Sequence, residues 1–267
     1  MLRIGRIDFA NVTPLFLALE HGGVAGVEYV RGIPTELNRK LRTGAVDLSP
    51  SSSIEYLRHP NLYGFLPDLS ISSIGPVESV ILFSRHAIEE LDGRTVALSP
   101  ASATSVVLLR VLLESHLGLR PVYSESEEGA EAVLRIGDQA LREARSGVWP
   151  RAYDLGTLWF EKTRTPFVFA LWICRRDAFE NRRSAVRDFY RSLVRARHLA
   201  YRSYPAYARQ SREAEWMGVE ELLSYWQTIS YDLTAWHREG LRRFAEEARS
   251  LGEIEVVPPL AAIPVEG

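Results

Sequence analysis

Three short apolar runs, Arg3-Ile4-Gly5-Arg6-Ile7, Val27-Glu28-Tyr29-Val30 and Val46-Asp47-Leu48-Ser49, have strand character and alternate with two stretches of helical character. The first helical stretch, Leu15 to His21, opens on Thr13-Pro14 and closes on Gly22-Gly23. The second, Thr35 to Thr43, follows Gly32-Ile33-Pro34, carries Leu37 and Leu41 at i,i+4 spacing, and ends at Gly44. Proline suits the first turn of a helix, where its missing N–H has no partner to lose, and glycine suits the end. Ser51-Ser52-Ser53 then supplies capping hydroxyls for a further helix, Ile54 to Leu57. Strand, helix, strand, helix, strand in this order predicts an α/β fold with a parallel sheet and right-handed crossovers.

Moving outward, a second unit of the same kind follows. Val80 to Ser84, Thr95 to Leu98 and Ala132 to Ile136 read as strands, and Ser102-Ala103-Thr104-Ser105 caps a long apolar helix from Val106 to Leu117 that ends at Gly118. Phe167 to Ile173 is a run of bulky residues, as in a strand buried on both faces. From Arg183 the pattern becomes helical and charged, with Tyr190, Leu193 and Val194 on one apolar face and Leu222, Leu223 and Trp226 on another. Val256-Val257-Pro258-Pro259 reads as extended, since proline blocks helix. No tandem repeat, low-complexity segment or Gly/Ser linker separates two beads. A second lobe inserted into the first is therefore expected.

Composition narrows the function. The 267 residues are 46% hydrophobic, enough for a large core or two smaller ones. Lys+Arg 32 against Asp+Glu 34 leaves a net charge of −2, so no global field favours nucleic acid or an acidic membrane. Arg182-Arg183 and Arg242-Arg243 read as solvated helix faces. The single cysteine, Cys174, sits in an apolar run, where it reads as a small buried hydrophobe in a reducing compartment. Met1 to Ile7 lacks the pattern of a secretory signal, and no apolar run approaches the ~20 residues of a membrane-spanning helix. A cytoplasmic location is expected. Oligomeric state is not legible.

Several chemical signatures are missing: G-x-G-x-x-G, G-x-x-x-x-G-K-[ST] and G-x-S-x-G. None of His21, His59, His86, His116, His198 and His237 is paired with another His or Cys at metal-ligand spacing. What remains is a set of polar loops at the carboxyl ends of strands, the edge where open α/β sheets bind ligands. Asn11 follows the first strand, Ser51-Ser52-Ser53 the third, Ser99 to Ser105 the Val96 strand, and Gly137-Asp138 the Ile136 strand. Two of these loops open helices, whose free N–H groups favour a carboxylate or phosphate. Capping alone accounts for the hydroxyls of any one loop. The functional reading rests on several of them meeting at one cleft.

Together these segments resemble a known family. The residues that carry the resemblance are Ile7 to Leu15, Gly32 to Asn38, Gly44 to Asp47, Ser52 to Tyr56, Ser72 to Val80, Ser102 to Ser105, Ile136 to Leu141 and Tyr153-Asp154-Leu155-Gly156. In order and spacing they are similar to the chorismate dehydratases of the futalosine route to menaquinone. That resemblance implies a two-lobed fold like the type II periplasmic solute-binding proteins, with a ligand cleft between lobe 1 (1–78 and 175–267) and lobe 2 (79–174). It implies a small dicarboxylate substrate, chorismate, which loses water to give 3-[(1-carboxyvinyl)oxy]benzoate, with no cofactor, no metal, and no nucleic-acid or membrane partner. Carried onto matching positions, Asn11 and Ser79 become the catalytic candidates, and Ser52, Ser53, Thr104, Ser105 and Asp138 the substrate contacts. No protein base stands out, which leaves the substrate's own enolpyruvyl carboxylate as a possible proton acceptor. A sister lyase of the same route, 1,4-dihydroxy-6-naphthoate synthase, is the nearest alternative, but Asp8 to Pro14 departs from its opening pattern. A transport receptor of the same fold is the alternative outside enzymes.

Overall fold

A computed structural model describes residues 1–265. The chain begins with β1 (Leu2–Arg6), α1 (Thr13–Gly22), β2 (Val27–Arg31), α2 (Pro34–Arg42), β3 (Leu48–Ser52), α3 (Ser53–Arg58) and β4 (Tyr63–Ser73). It crosses to a second sheet through β5 (Val80–Ser84), β6 (Thr95–Ala97), α4 (Ala103–Arg110), β7 (Val122–Ser124), β8 (Ala132–Ile136), α5 (Gly137–Ser146), β9 (Arg151–Asp154) and α6 (Leu155–Thr163). It returns as β10 (Phe167–Arg175), α7 (Arg176–Asn181), α8 (Arg183–Gln210), α9 (Ala214–Met217), α10 (Val219–Thr228), β11 (Ile229–Leu233) and α11 (Ala235–Ser250).

The first sheet has the order β11-β4-β10-β3-β1-β2 and the second β7-β6-β8-β5-β9. As the βαβαβ pattern predicts, β1 lies parallel to both β2 and β3. The parallel core of the second sheet is β6 with β7 and β8. All five residues of β3 and of β5 are buried, because helices cover both faces. α2 shows how a face is chosen: Pro34, Leu37, Asn38 and Leu41 form its buried stripe and its charged residues point outward.

Two expectations are corrected. Phe167–Arg175 does not belong to the inserted lobe. β10 lies between β3 and β4, antiparallel to both, so the chain leaves the second lobe at 164–166 rather than after 174. A continuous apolar run announces burial on two faces, but the choice of sheet is a non-local pairing that no local pattern encodes. The helix expected from Val106 to Leu117 is α-helical only to Arg110 and widens into π-helical turns over Val111–His116. Among the described residues no helix is long and apolar enough to cross a membrane.

Candidate active site

Between the sheets lies a cleft with about 570 Å³ of empty space, its open mouth included. Carboxyl ends of strands supply much of its wall, as the sheet-edge rule requires. Phe9 and Asn11 enter beyond β1, Ser52 ends β3, Ile136 and Gly137 join β8 to α5, and Ser102 and Ser105 sit at the head of α4. Val77, Ser79 and Val80 come from the first crossing, Ile71 from β4, and Phe169 with Ala170 from β10. Among the described residues, none of the lining side chains is ionisable in the physiological range. The polar groups are four serine hydroxyls and one amide, set among apolar and aromatic surfaces.

Asn11 sits in the β1–α1 turn. Its carbonyl accepts from Tyr231 Oη at 2.7 Å, while its side-chain Oδ1 is buried with no partner among the described residues. A buried acceptor left open costs free energy unless a ligand donates to it. Ser79 is 2% exposed, and its Oγ donates to Val77 O at 3.2 Å. Ser52 is set in place by Asn38, whose Oδ1 accepts from the Ser52 N–H at 3.3 Å. Ser105 shares a hydroxyl–hydroxyl contact of 3.0 Å with Ser102, the N-cap of α4. That cap takes the Ser105 N–H and leaves those of Ala103 and Thr104 without an intrahelical acceptor.

The remaining three sequence candidates are not on the wall. Ser53 is fully buried and donates to Val168 O at 2.7 Å, pinning the start of α3 to β10. Thr104 is fully buried, and its Oγ1 accepts from Ile54 N at 3.2 Å. Asp138 Oδ1 accepts from Ala10 N at 2.9 Å. The last two bonds each run from one lobe to the other, so they are contacts of the closed cleft. Burial raises the Asp138 pKa, and neighbouring Glu213 adds to the rise against Arg142 and Arg212. Beside this contact Gly137 has φ +60°, and a Cβ there would meet the Phe9 ring at 3.0 Å. Glycine therefore permits the lobes to approach.

The first crossing is clamped from behind. The Asp154 carboxylate accepts from Val77 N at 3.1 Å, Glu78 N at 2.6 Å and Thr157 N at 2.8 Å. Burial raises its pKa even so. Glu78 adopts φ +58°, a left-handed conformation rare for such a residue, immediately before Ser79. Gly156 lets the Gly75 carbonyl come within 2.5 Å of where a Cβ would stand. The turn Asp154-Leu155-Gly156, faint as a sequence signal, thus fixes the segment that carries Ser79. Asn38 had a signal too, as an amide on the buried stripe of α2. Trp226 and Tyr231 had none, since aromatics at helical or strand spacing read as core.

A family model described as menaquinone biosynthesis matches residues 2–250. The chain is 38% identical to the chorismate dehydratase of Thermus thermophilus over 91% of its own length and 93% of that protein. A solved structure from Archaeoglobus fulgidus superposes with a TM-score of 0.77 at 19% identity, covering 95% of this chain and 98% of the other. The periplasmic aliphatic sulphonate binding protein SsuA of Escherichia coli superposes at 0.65 with 16% identity, over 97% and 95%. At such identities the structures speak for the fold alone, which is that of the periplasmic binding proteins. The family match spans nearly the whole chain, and the chain belongs to the menaquinone-biosynthesis family.

Proposed function

We propose that the protein is a chorismate dehydratase, a hydro-lyase that converts chorismate to 3-[(1-carboxyvinyl)oxy]benzoate and water. The lobes that close on the substrate are 1–74 with 167–265, and 79–164. The observation that carries this reading is the chemistry of the wall: neutral hydrogen-bonding groups in an otherwise apolar cleft, with one buried acceptor, Asn11 Oδ1, left open. A hydrolase or a general-base isomerase would place a titratable side chain there. This elimination can do without one, because its substrate carries its own carboxylates.

The proton at C3 of chorismate is vinylogous to the ring carboxylate. Its loss gives a delocalised, enolate-like carbanion, and expulsion of the C4 hydroxyl makes the ring aromatic. The enolpyruvyl carboxylate takes the C3 proton and returns it to the departing hydroxyl, so one water leaves and nothing is oxidised or reduced. Asn11 and Ser79 act at the reacting edge. The Asn11 amide orients the C4 hydroxyl, and Ser79 donates to the enolate-like carboxylate as charge develops. Ser52 and Ser105 hold carboxylates through hydroxyl donors, aided by the open N–H groups at the head of α4. The lone buried thiol of Cys174 suits a reducing cytoplasm.

Purified protein incubated with chorismate should yield an aromatic product lighter by one water. Asn11→Ala should stay folded and lose about 10²–10³ in kcat, the cost of removing one preorganised polar group from a transition state. Intact chorismate after prolonged incubation overturns the activity. Near-normal kcat in Asn11→Ala overturns the residue's role.

A further inference from the structure

The turn that carries Asn11 is held by side chains remote in sequence. Ala10 O accepts from Trp226 Nε1 at 2.8 Å, and Asn11 O accepts from Tyr231 Oη at 2.7 Å. Trp226 and Tyr231 are both fully buried. They lie on α10 and β11, which follow one another without a loop. We propose that Trp226 and Tyr231 are positioning residues that aim the Asn11 amide into the cleft, an inference that rests on the role given to Asn11 above.

The reasoning is geometric. Peptide units are rigid planes, so the conformation of a residue is set by the planes on either side of it. The carbonyls of Ala10 and Asn11 belong to the two planes that flank Asn11 Cα. Anchoring both oxygens fixes φ and ψ of Asn11 and therefore the direction of its Cα–Cβ bond. The anchors are themselves fixed. The Tyr231 N–H donates to Tyr201 Oη at 2.7 Å, and that hydroxyl donates to the Asp232 carboxylate at 3.1 Å. The rings of Tyr201 and Tyr231 lie 5.6 Å apart, and those of Tyr204 and Trp226 5.5 Å apart. The other lobe adds a third hold through Asp138 on Ala10 N.

The test uses the full-length enzyme with Tyr231→Phe and Trp226→Phe, each alone and combined with Asn11→Ala. Tyr56→Phe serves as control, since it removes an equally buried hydroxyl that donates to Pro259 O at 2.6 Å, away from the cleft wall. A misplacement on the order of 1 Å costs about 10²-fold, so kcat for chorismate should fall at least roughly tenfold in either single variant, with KM changed by less than about twofold. In the Asn11→Ala background the same substitutions should cost nothing further, because the group they aim is gone. The Asn11 side-chain amide resonance should shift or broaden relative to wild type in Tyr231→Phe and stay put in Tyr56→Phe. Equal losses with and without Asn11, or losses matched by Tyr56→Phe, would overturn the inference. If the wild type does not turn over chorismate, the functional reading fails, and the amide resonance alone still decides whether these residues aim Asn11.

Discussion

Ser52 and Ser53 are neighbours in sequence, as are Thr104 and Ser105, yet only Ser52 and Ser105 line the cleft. Successive residues at a strand end or a helix start point in different directions, so a polar cluster in the sequence marks a loop without saying which hydroxyl faces the ligand. Ser53 and Thr104 instead satisfy backbone groups, Val168 O and Ile54 N. This division has a kinetic consequence. Ser105→Ala should raise KM for chorismate by about tenfold or more, the loss of a hydrogen bond to a charged group, with a smaller change in Tm. Ser53→Ala should leave KM unchanged and destabilise the fold by about 1–3 kcal/mol, the cost of a buried carbonyl left without its donor. Steady-state kinetics paired with thermal unfolding reads both, and the reverse pattern would exchange the two roles.

At the scale of elements, the opening βαβαβ unit was legible because each of its parts is a local pattern and its strands are joined by short helices. β10 was recognised as a strand but placed in the wrong lobe, and β4, β9 and β11 carried too little local pattern to be assigned. The crossing before β5 shows how a weak turn becomes structural. Asp154 has its pKa raised by burial from the ordinary 3.8, so the native state holds that proton more tightly than the unfolded chain. Between 3.8 and the raised native value the native protein binds more protons, and stability falls as pH rises through that window. Asp154→Asn cannot titrate there. The variant should therefore gain stability relative to wild type as pH is raised through the window, measured as the difference in denaturant midpoints. A gap that moves the other way would mean that the three N–H donors outweigh burial.

Across the whole molecule, the lobes are joined by aromatic packing and ion pairs as well as by the two polar contacts at the cleft. Trp159 of α6 packs edge-on against Phe167 of β10 with centroids 5.2 Å apart, and Glu253 pairs with both Arg58 and Arg110. The two-lobed form followed from the order of motifs, but the contacts that hold it closed were legible only as loose polar residues, because each joins positions far apart in sequence. The absence of ionisable groups from the wall carries a thermodynamic consequence. A ligand that enters already ionised meets no side chain there that must gain or lose a proton. The heat of binding the aromatic product near neutral pH should then be the same in buffers whose own protonation heats differ widely. A calorimetric slope against buffer protonation heat that departs from zero would reveal a proton moving on binding, and would turn attention to Asp138 behind the Asn11 turn.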